Sequence, residues 1–174
     1  MKKIMIILLA LLCVFYFVGC GEEKSTEPGY DALEKFTTPG YDALYEYCDS
    51  PGFSYTDLQV HDYSGDYYFD KVTVERNNSY DYISISVDCP KDLDLTLMLK
   101  EDTNICDVRI SLPSTPWSYG EIDLKTFSPD NHVIDGLIVG ELYGSFISEA
   151  LIALEPTLIE KVGVSLKDLG FINY

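Results

Sequence analysis

The stretch that decides the fold is Ile83-Ser-Ile-Ser-Val-Asp-Cys89, followed after Pro90-Lys91-Asp92 by Leu93-Asp-Leu-Thr-Leu-Met-Leu99. Apolar residues occupy every second position: Ile83, Ile85, Val87 and Cys89, then Leu93, Leu95, Leu97 and Leu99. Polar residues fill most of the positions between. A side-chain period of two with one apolar face predicts half-buried β-strands. The link between the two runs is three residues long, which only antiparallel neighbours can use. Working outward, Val72 and Val74 alternate with Lys71, Thr73 and Glu75 before the turn Asn77-Asn78-Ser79. Cys106, Val108, Ile110 and Leu112 alternate with Asp107, Arg109 and Ser111 after Glu101–Asn104. The pattern predicts an antiparallel four-stranded meander, joined by a fifth strand near Tyr55–Val60. One sheet face is apolar and the other polar.

An apolar sheet face must be covered. The cover is predicted from Gly140–Lys161, where Leu142, Phe146, Ala150, Ala153 and Leu154 follow helical spacing and Ile147 and Leu151 widen the stripe. Pro156 is expected to kink or split this helix after Glu155, and Gly163 to stop the second piece. Ser165–Asp168 resembles a further helix start, and Gly170–Tyr174 an apolar tail docking on the core. The expected class is therefore α+β, a four- to five-stranded antiparallel meander with C-terminal helices on one face. The segment His132–Val139 carries two signals. Asp135-Gly136 suits a hairpin turn, whereas Ser128-Pro129-Asp130 suits a helix start. Gly136, Gly140 and Gly144 fall four apart, which on a helix leaves a smooth face for close packing. Each mid-helix glycine costs about 1 kcal/mol, which favours a helix starting near Gly140.

The N-terminal end is of a different kind. Met1-Lys2-Lys3 precedes an apolar run from Ile4 to Val18, the charged and apolar regions of a secretory signal. The run is shorter than the ~20 residues of a spanning helix and ends at Gly19-Cys20. The quartet Phe17-Val18-Gly19-Cys20 resembles the lipobox of bacterial lipoproteins, with Phe17 where leucine is usual. The resemblance implies cleavage before Cys20, acylation of its sulfur, and attachment to a bacterial membrane (cell membrane or outer membrane) with the domain outside the cytoplasm. It covers only the first ~20 residues. Three parts follow: a signal over 1–19, the lipidated cysteine and linker over 20–38, and one globular domain over 39–174. Pro28-Gly-Tyr-Asp-Ala-Leu33 recurs as Pro39-Gly-Tyr-Asp-Ala-Leu44. Two copies are too few for a solenoid. The second reads as a helix start, and the first as a spare in the linker or a duplicated docking motif.

Composition narrows the function classes. The chain of 174 residues has 12 Lys and Arg against 29 Asp and Glu. Loss of residues 1–19 removes Lys2 and Lys3, so the mature charge is 10 minus 29, or −19. Such a surface is repelled by nucleic acid and anionic lipid heads. It favours cationic partners, or solubility alone. Of five cysteines, Cys13 leaves with the signal and Cys20 is lipidated. Cys48, Cys89 and Cys106 remain. One disulfide is allowed outside the cytoplasm, but Cys89 and Cys106 fall at opposite ends of the meander and are expected as buried thiols.

No catalytic or cofactor fingerprint is present: no HExxH, GxSxG, P-loop or dinucleotide motif. The histidines are His61 and His132, so a Cys/His pair such as Cys48 with His61 is only arithmetically possible. No cofactor or metal is implied. A loose calcium site from Asp62, Ser64 and Asp66 competes with a solvated acidic turn. The segment His61-Asp-Tyr-Ser-Gly-Asp-Tyr-Tyr-Phe69 mixes aromatics, acids and a glycine as binding loops do. It nominates Tyr63, Asp66, Tyr67 and Tyr68 as partner contacts. Trp117, within Pro113–Gly120, is a second candidate, either an exposed hot spot or a core plug. The sequence points to a tethered, non-enzymatic domain that binds an envelope protein partner. The rivals are a small envelope hydrolase or thiol enzyme, and a small-ligand or cation binder.

Overall fold

The structure, a computed structural model, describes residues 38–174. The export signal, Cys20, the linker and the first copy of the repeat lie outside the described residues. Residues 36–174 form one compact unit with a complete core of its own.

The described chain opens with helix α1 (Pro39–Asp49) and a 3-10 turn (Tyr55–Leu58). The strands follow as β1 (Gln59–His61), β2 (Lys71–Asn77), β3 (Tyr82–Cys89), β4 (Leu93–Leu99), β5 (Ile105–Leu112) and β6 (Thr115–Asp123). Helix α2 (Gly140–Val162) closes the order. Every strand pairs antiparallel with its neighbour in sequence, giving a six-stranded meander in the order β1 to β6. Short turns make this topology possible. Asp81 and Asp102 adopt positive φ at two of them (53° and 55°), a conformation that aspartate tolerates because its side chain bonds locally.

The strand count corrects the expected four to five. The fifth strand lies beyond the predicted Tyr55–Val60, most of which is the 3-10 turn. The sixth, β6, was hidden. As an edge strand it turns only Gly120 and Ile122 to the core, so no apolar alternation marks it, and Pro113 and Pro116 read as loop.

The C-terminal cover is likewise simpler than expected. One helix, α2, runs unbroken through Pro156. Proline removes the bond its N–H would make to the carbonyl four residues back. Here that carbonyl belongs to Ile152 on the solvent face, where water satisfies it. Gly163 caps the helix in the left-handed conformation (φ 77°). Ser165–Asp168 makes only a turn, held by the Asp168 carboxylate, which accepts from the Ser165 N–H at 2.9 Å and its hydroxyl at 2.6 Å.

The core lies between the apolar sheet face and these covers. Ile147, Ala150, Leu151, Leu154 and Leu158 enter it from α2, and Tyr41, Leu44 and Cys48 from α1. Leu124, Phe127 and Ile134 enter from the connection between β6 and α2, and Leu166, Leu169 and Phe171 from the tail. The segment 132–139 is neither hairpin nor helix. Asp135 bridges β6 at Glu121 (N···O 2.9 and 3.1 Å), and the helix begins at Gly140. The glycine spacing is used by close packing: a methyl at Gly140 would meet the Ile134 backbone, and one at Gly144 the His132 backbone.

Candidate functional site

Both helices pack on the apolar side, leaving the polar face of the sheet uncovered. Strand register lays its residues out in rows. One row runs Gln59, Thr73, Ser86, Thr96, Arg109, Tyr119. On one side of it runs His61, Lys71, Asp88, Asp94, Ser111. On the other runs Glu75, Ser84, Met98, Asp107, Glu121. The middle row is short and polar, and Thr73, Ser84 and Thr96 are sunk below their longer neighbours. The face is thus a shallow trough, not a deep cleft. Two depressions indent it. One of about 260 Å³ lies under Tyr55, between Lys71, Thr73 and Glu75. The other, of about 370 Å³, is bounded by Met98, Asp107, Tyr119 and Glu121 and by Asp135 and Gly136 beyond the sheet edge.

Aromatic side chains mark both edges. At the β1 edge, Tyr63 is 90% exposed and stacks on His61 with ring centroids 5.2 Å apart. His61 pairs with Lys71 and so belongs to the polar face. At the β6 edge, Trp117 and Tyr119 are both exposed. The Arg109 guanidinium lies 3.6 Å from the Trp117 ring centroid. This cation–π contact fixes the ring over β5 and leaves its other side to solvent. The two edges lie five strand spacings apart, about 24 Å at ~4.8 Å each. Opposite charges are interleaved between them. Lys71 meets Asp88 at 2.7 Å, and their hydrogen bond raises the lysine pKa. Asp94 is raised by burial, then by neighbouring Asp88 and Asp92. Lys100 pairs with Asp107.

The residues nominated from sequence divide between two surfaces. Tyr63 and Trp117 come to the same sheet face at opposite edges. Tyr67 and Tyr68 turn away: Tyr67 stacks on buried Phe69, and Tyr68 leans on Phe146 of α2 and donates its N–H to Glu149 at 2.9 Å. Asp66 is exposed at the turn between them, its N–H bonded to the Ser64 hydroxyl. Sequence reasoning missed Tyr119, Arg109 and Tyr55. Tyr119 sits two residues from Trp117, the strand spacing that puts both on one face, but the signal needs β6 to be recognised first.

The acidic turn is built for itself. Asp62 accepts the N–H groups of Ser64, Gly65 and Tyr67 at 3.1, 3.0 and 2.9 Å and the Ser64 hydroxyl at 2.7 Å. The Ser64 hydroxyl and these amides hold its pKa below the usual carboxylate range. Its lone pairs are engaged by its own loop. Among the described residues, no three His, Cys, Asp or Glu side chains converge as a metal site.

Cys48, Cys89 and Cys106 are buried free thiols. Burial pushes each up to about 12, so the nucleophilic thiolate is scarce at neutral pH. His61 is exposed and bonds Gln59 at 3.0 Å, while His132 holds the Pro129 carbonyl at 2.8 Å through Nδ1. Cys48 is buried beneath α1 and His61 stands on the polar sheet face, so the pair suggested by arithmetic is not assembled.

No family model, curated protein or solved structure matches the chain. Its function is therefore argued from its own residues.

Proposed function

We propose that this chain is a lipoprotein of the bacterial envelope, anchored through an acylated Cys20. Its domain binds a protein partner on the uncovered sheet face, without catalysis. The observation that carries the binding reading is the arrangement of that face. Exposed aromatic rings stand at both edges, Tyr63 on one and Trp117 with Tyr119 on the other, around a shallow trough of alternating charges. Aromatic and arginine side chains supply large contact area at small entropic cost and dominate many interfaces. The trough offers both signs of charge for setting orientation. Burial of all three thiols counts against a thiol enzyme. The lipid anchor rests on Lys2-Lys3, the apolar run and Phe17-Val18-Gly19-Cys20.

The anchor is tested by feeding cells a clickable palmitate analogue. Label should enter the wild-type protein and be lost in Cys20→Ala, which should also leave the membrane fraction. Equal labelling of both would end the lipoprotein reading. The surface is tested by cross-linking intact cells and quantifying the captured partner. Trp117→Ala and Tyr63→Ala should each weaken capture at least tenfold, the scale of a 1.4 kcal/mol contact. Undiminished capture by both would show that the partner docks elsewhere.

A further inference from the structure

The far side of the β6 edge has a different character. The bridge between Glu121 and Asp135 ties the segment before α2 to the edge strand. Beyond the bridge the two segments diverge and enclose an apolar cavity of about 290 Å³, walled by Ile110, Leu112, Leu137 and Tyr143, with Ser118 and Thr115 along the β6 side. Ile138 stands at the same cavity with its side chain fully exposed (106%), and Val139 and Leu142 beside it are about half exposed (45% and 53%). An apolar knob and an apolar hole therefore share one surface.

The charge pattern says what can approach it. The chain carries 29 acidic and 12 basic residues, a net charge of −17. Two copies repel each other across most of their surfaces. Leu112–Gly120 and Gly136–Gly140 contain no charged residue at all, and the bridge brings these two stretches side by side. It is a surface where a second copy meets no opposing carboxylates. Strand-to-strand addition is hindered, because Pro116 and the register shift between Ile110 and Leu112 interrupt the edge ladder. Contact must come from side chains.

We propose that this surface is a twofold interface with a second copy of the chain, in which Ile138 of each copy enters the cavity of the other. A knob beside a hole is the self-complementary arrangement that an isologous contact requires. The interface leaves Tyr63 and the β1 edge free, so it is separate from partner binding on the sheet face.

The test is sedimentation equilibrium of residues 36–174, the unit with its own core, from micromolar to near-millimolar protein. A reversible monomer–dimer equilibrium is expected, tightening as salt rises from about 0.05 to 0.5 M and screens the net charge. Ile138→Asp should weaken it at least tenfold by placing an unpaired carboxylate in an apolar cavity. Ile138 is fully exposed, so this variant keeps its fold. Ser118→Leu, which fills the cavity from the other side, should weaken it as well. A monomer at every concentration would overturn the proposal, as would a dimer indifferent to both substitutions. A monomer that takes up a fluorescent fatty acid in an Ile138-dependent way would overturn it too, assigning the cavity to an acyl chain.

Discussion

Replacing Gly144 by alanine should destabilise the domain, although helix propensity alone says the opposite. An interior helical glycine costs about 1 kcal/mol relative to alanine, so Gly144→Ala would gain that amount on an open helix face. Gly144 does not face open space. The added methyl would lie 2.7 Å from the His132 carbonyl carbon and closer still to its oxygen. Carbon atoms in contact prefer about 3.5–4.0 Å, so the His132 backbone or the helix must retreat by roughly 1 Å. Neither neighbour is a flexible side-chain end that can swing away. The 132–135 segment is held to β6 by the paired Glu121 and Asp135 amides, and Ile134 donates to the Gly140 carbonyl at 3.3 Å. Forcing a methyl into packed surroundings costs about 1–3 kcal/mol, and immovable backbone puts this site at the upper end. Net of the propensity gain, about 2 kcal/mol should be lost, or roughly 6–8 °C in Tm for a unit of this size. Thermal unfolding followed by circular dichroism on residues 36–174 measures it. Gly52→Ala is the control: nothing lies within 4 Å of its added methyl, and it should melt within about 2 °C of wild type. If Gly144→Ala melts at or above wild type, α2 does not pack on the 132–134 segment as described, and the cavity beside Ile138 loses its wall.

Three further outcomes are expected. Cys48, Cys89 and Cys106, raised from 9.0 to about 12 by burial, should react with Ellman's reagent at least a thousandfold more slowly in the native domain than in 6 M guanidinium, the ratio that three pKa units imply; rapid native reaction of any one would reopen the thiol-enzyme reading. Asp168 is held below its usual pKa, first by the Ser165 hydroxyl and then by the Ser165 amide, so its contribution to stability is full above the unfolded value near 3.8 and is lost as pH falls through the lower folded value. Asp168→Asn should therefore flatten the acid limb of a Tm–pH profile below about pH 4 while lowering Tm at neutral pH, and an unchanged acid limb would show that the turn does not depend on that carboxylate. Arg109→Ala should cost no more than about 1 kcal/mol, the scale of an exposed cation–π contact, yet should raise acrylamide quenching of Trp117, the single tryptophan; unchanged quenching would mean that Arg109 does not shield the ring.

How much of this was legible in the sequence follows from how each element is buried. Strands β2 to β5 have one face in the core and one in solvent, so alternation writes them plainly, down to Cys89 and Cys106 as buried positions. Strand β6 is an edge strand whose residues Thr115–Tyr119 are all exposed, and burial leaves no period to read. The unbroken helix through Pro156 depends on which way one carbonyl faces, a tertiary fact that a proline rule omits. The same limit governs the candidate site. Tyr63 and Trp117 could each be picked out as exposed aromatics in polar company, but they lie 54 residues apart (117 minus 63), and only the strand order puts them on one face. Tyr67 and Tyr68, nominated on identical grounds, are instead drawn to Phe69 and Phe146. Composition identifies a sticky segment. The pleat decides which of its side chains a partner could touch, because neighbouring residues on an extended chain point to opposite sides. A site built across a meander is therefore written one residue per strand, with a gap of many residues between entries. Short motifs can be searched for in a sequence, but a row such as Thr73, Ser86, Thr96, Arg109, Tyr119 has no sequence signature until the register that aligns it is known.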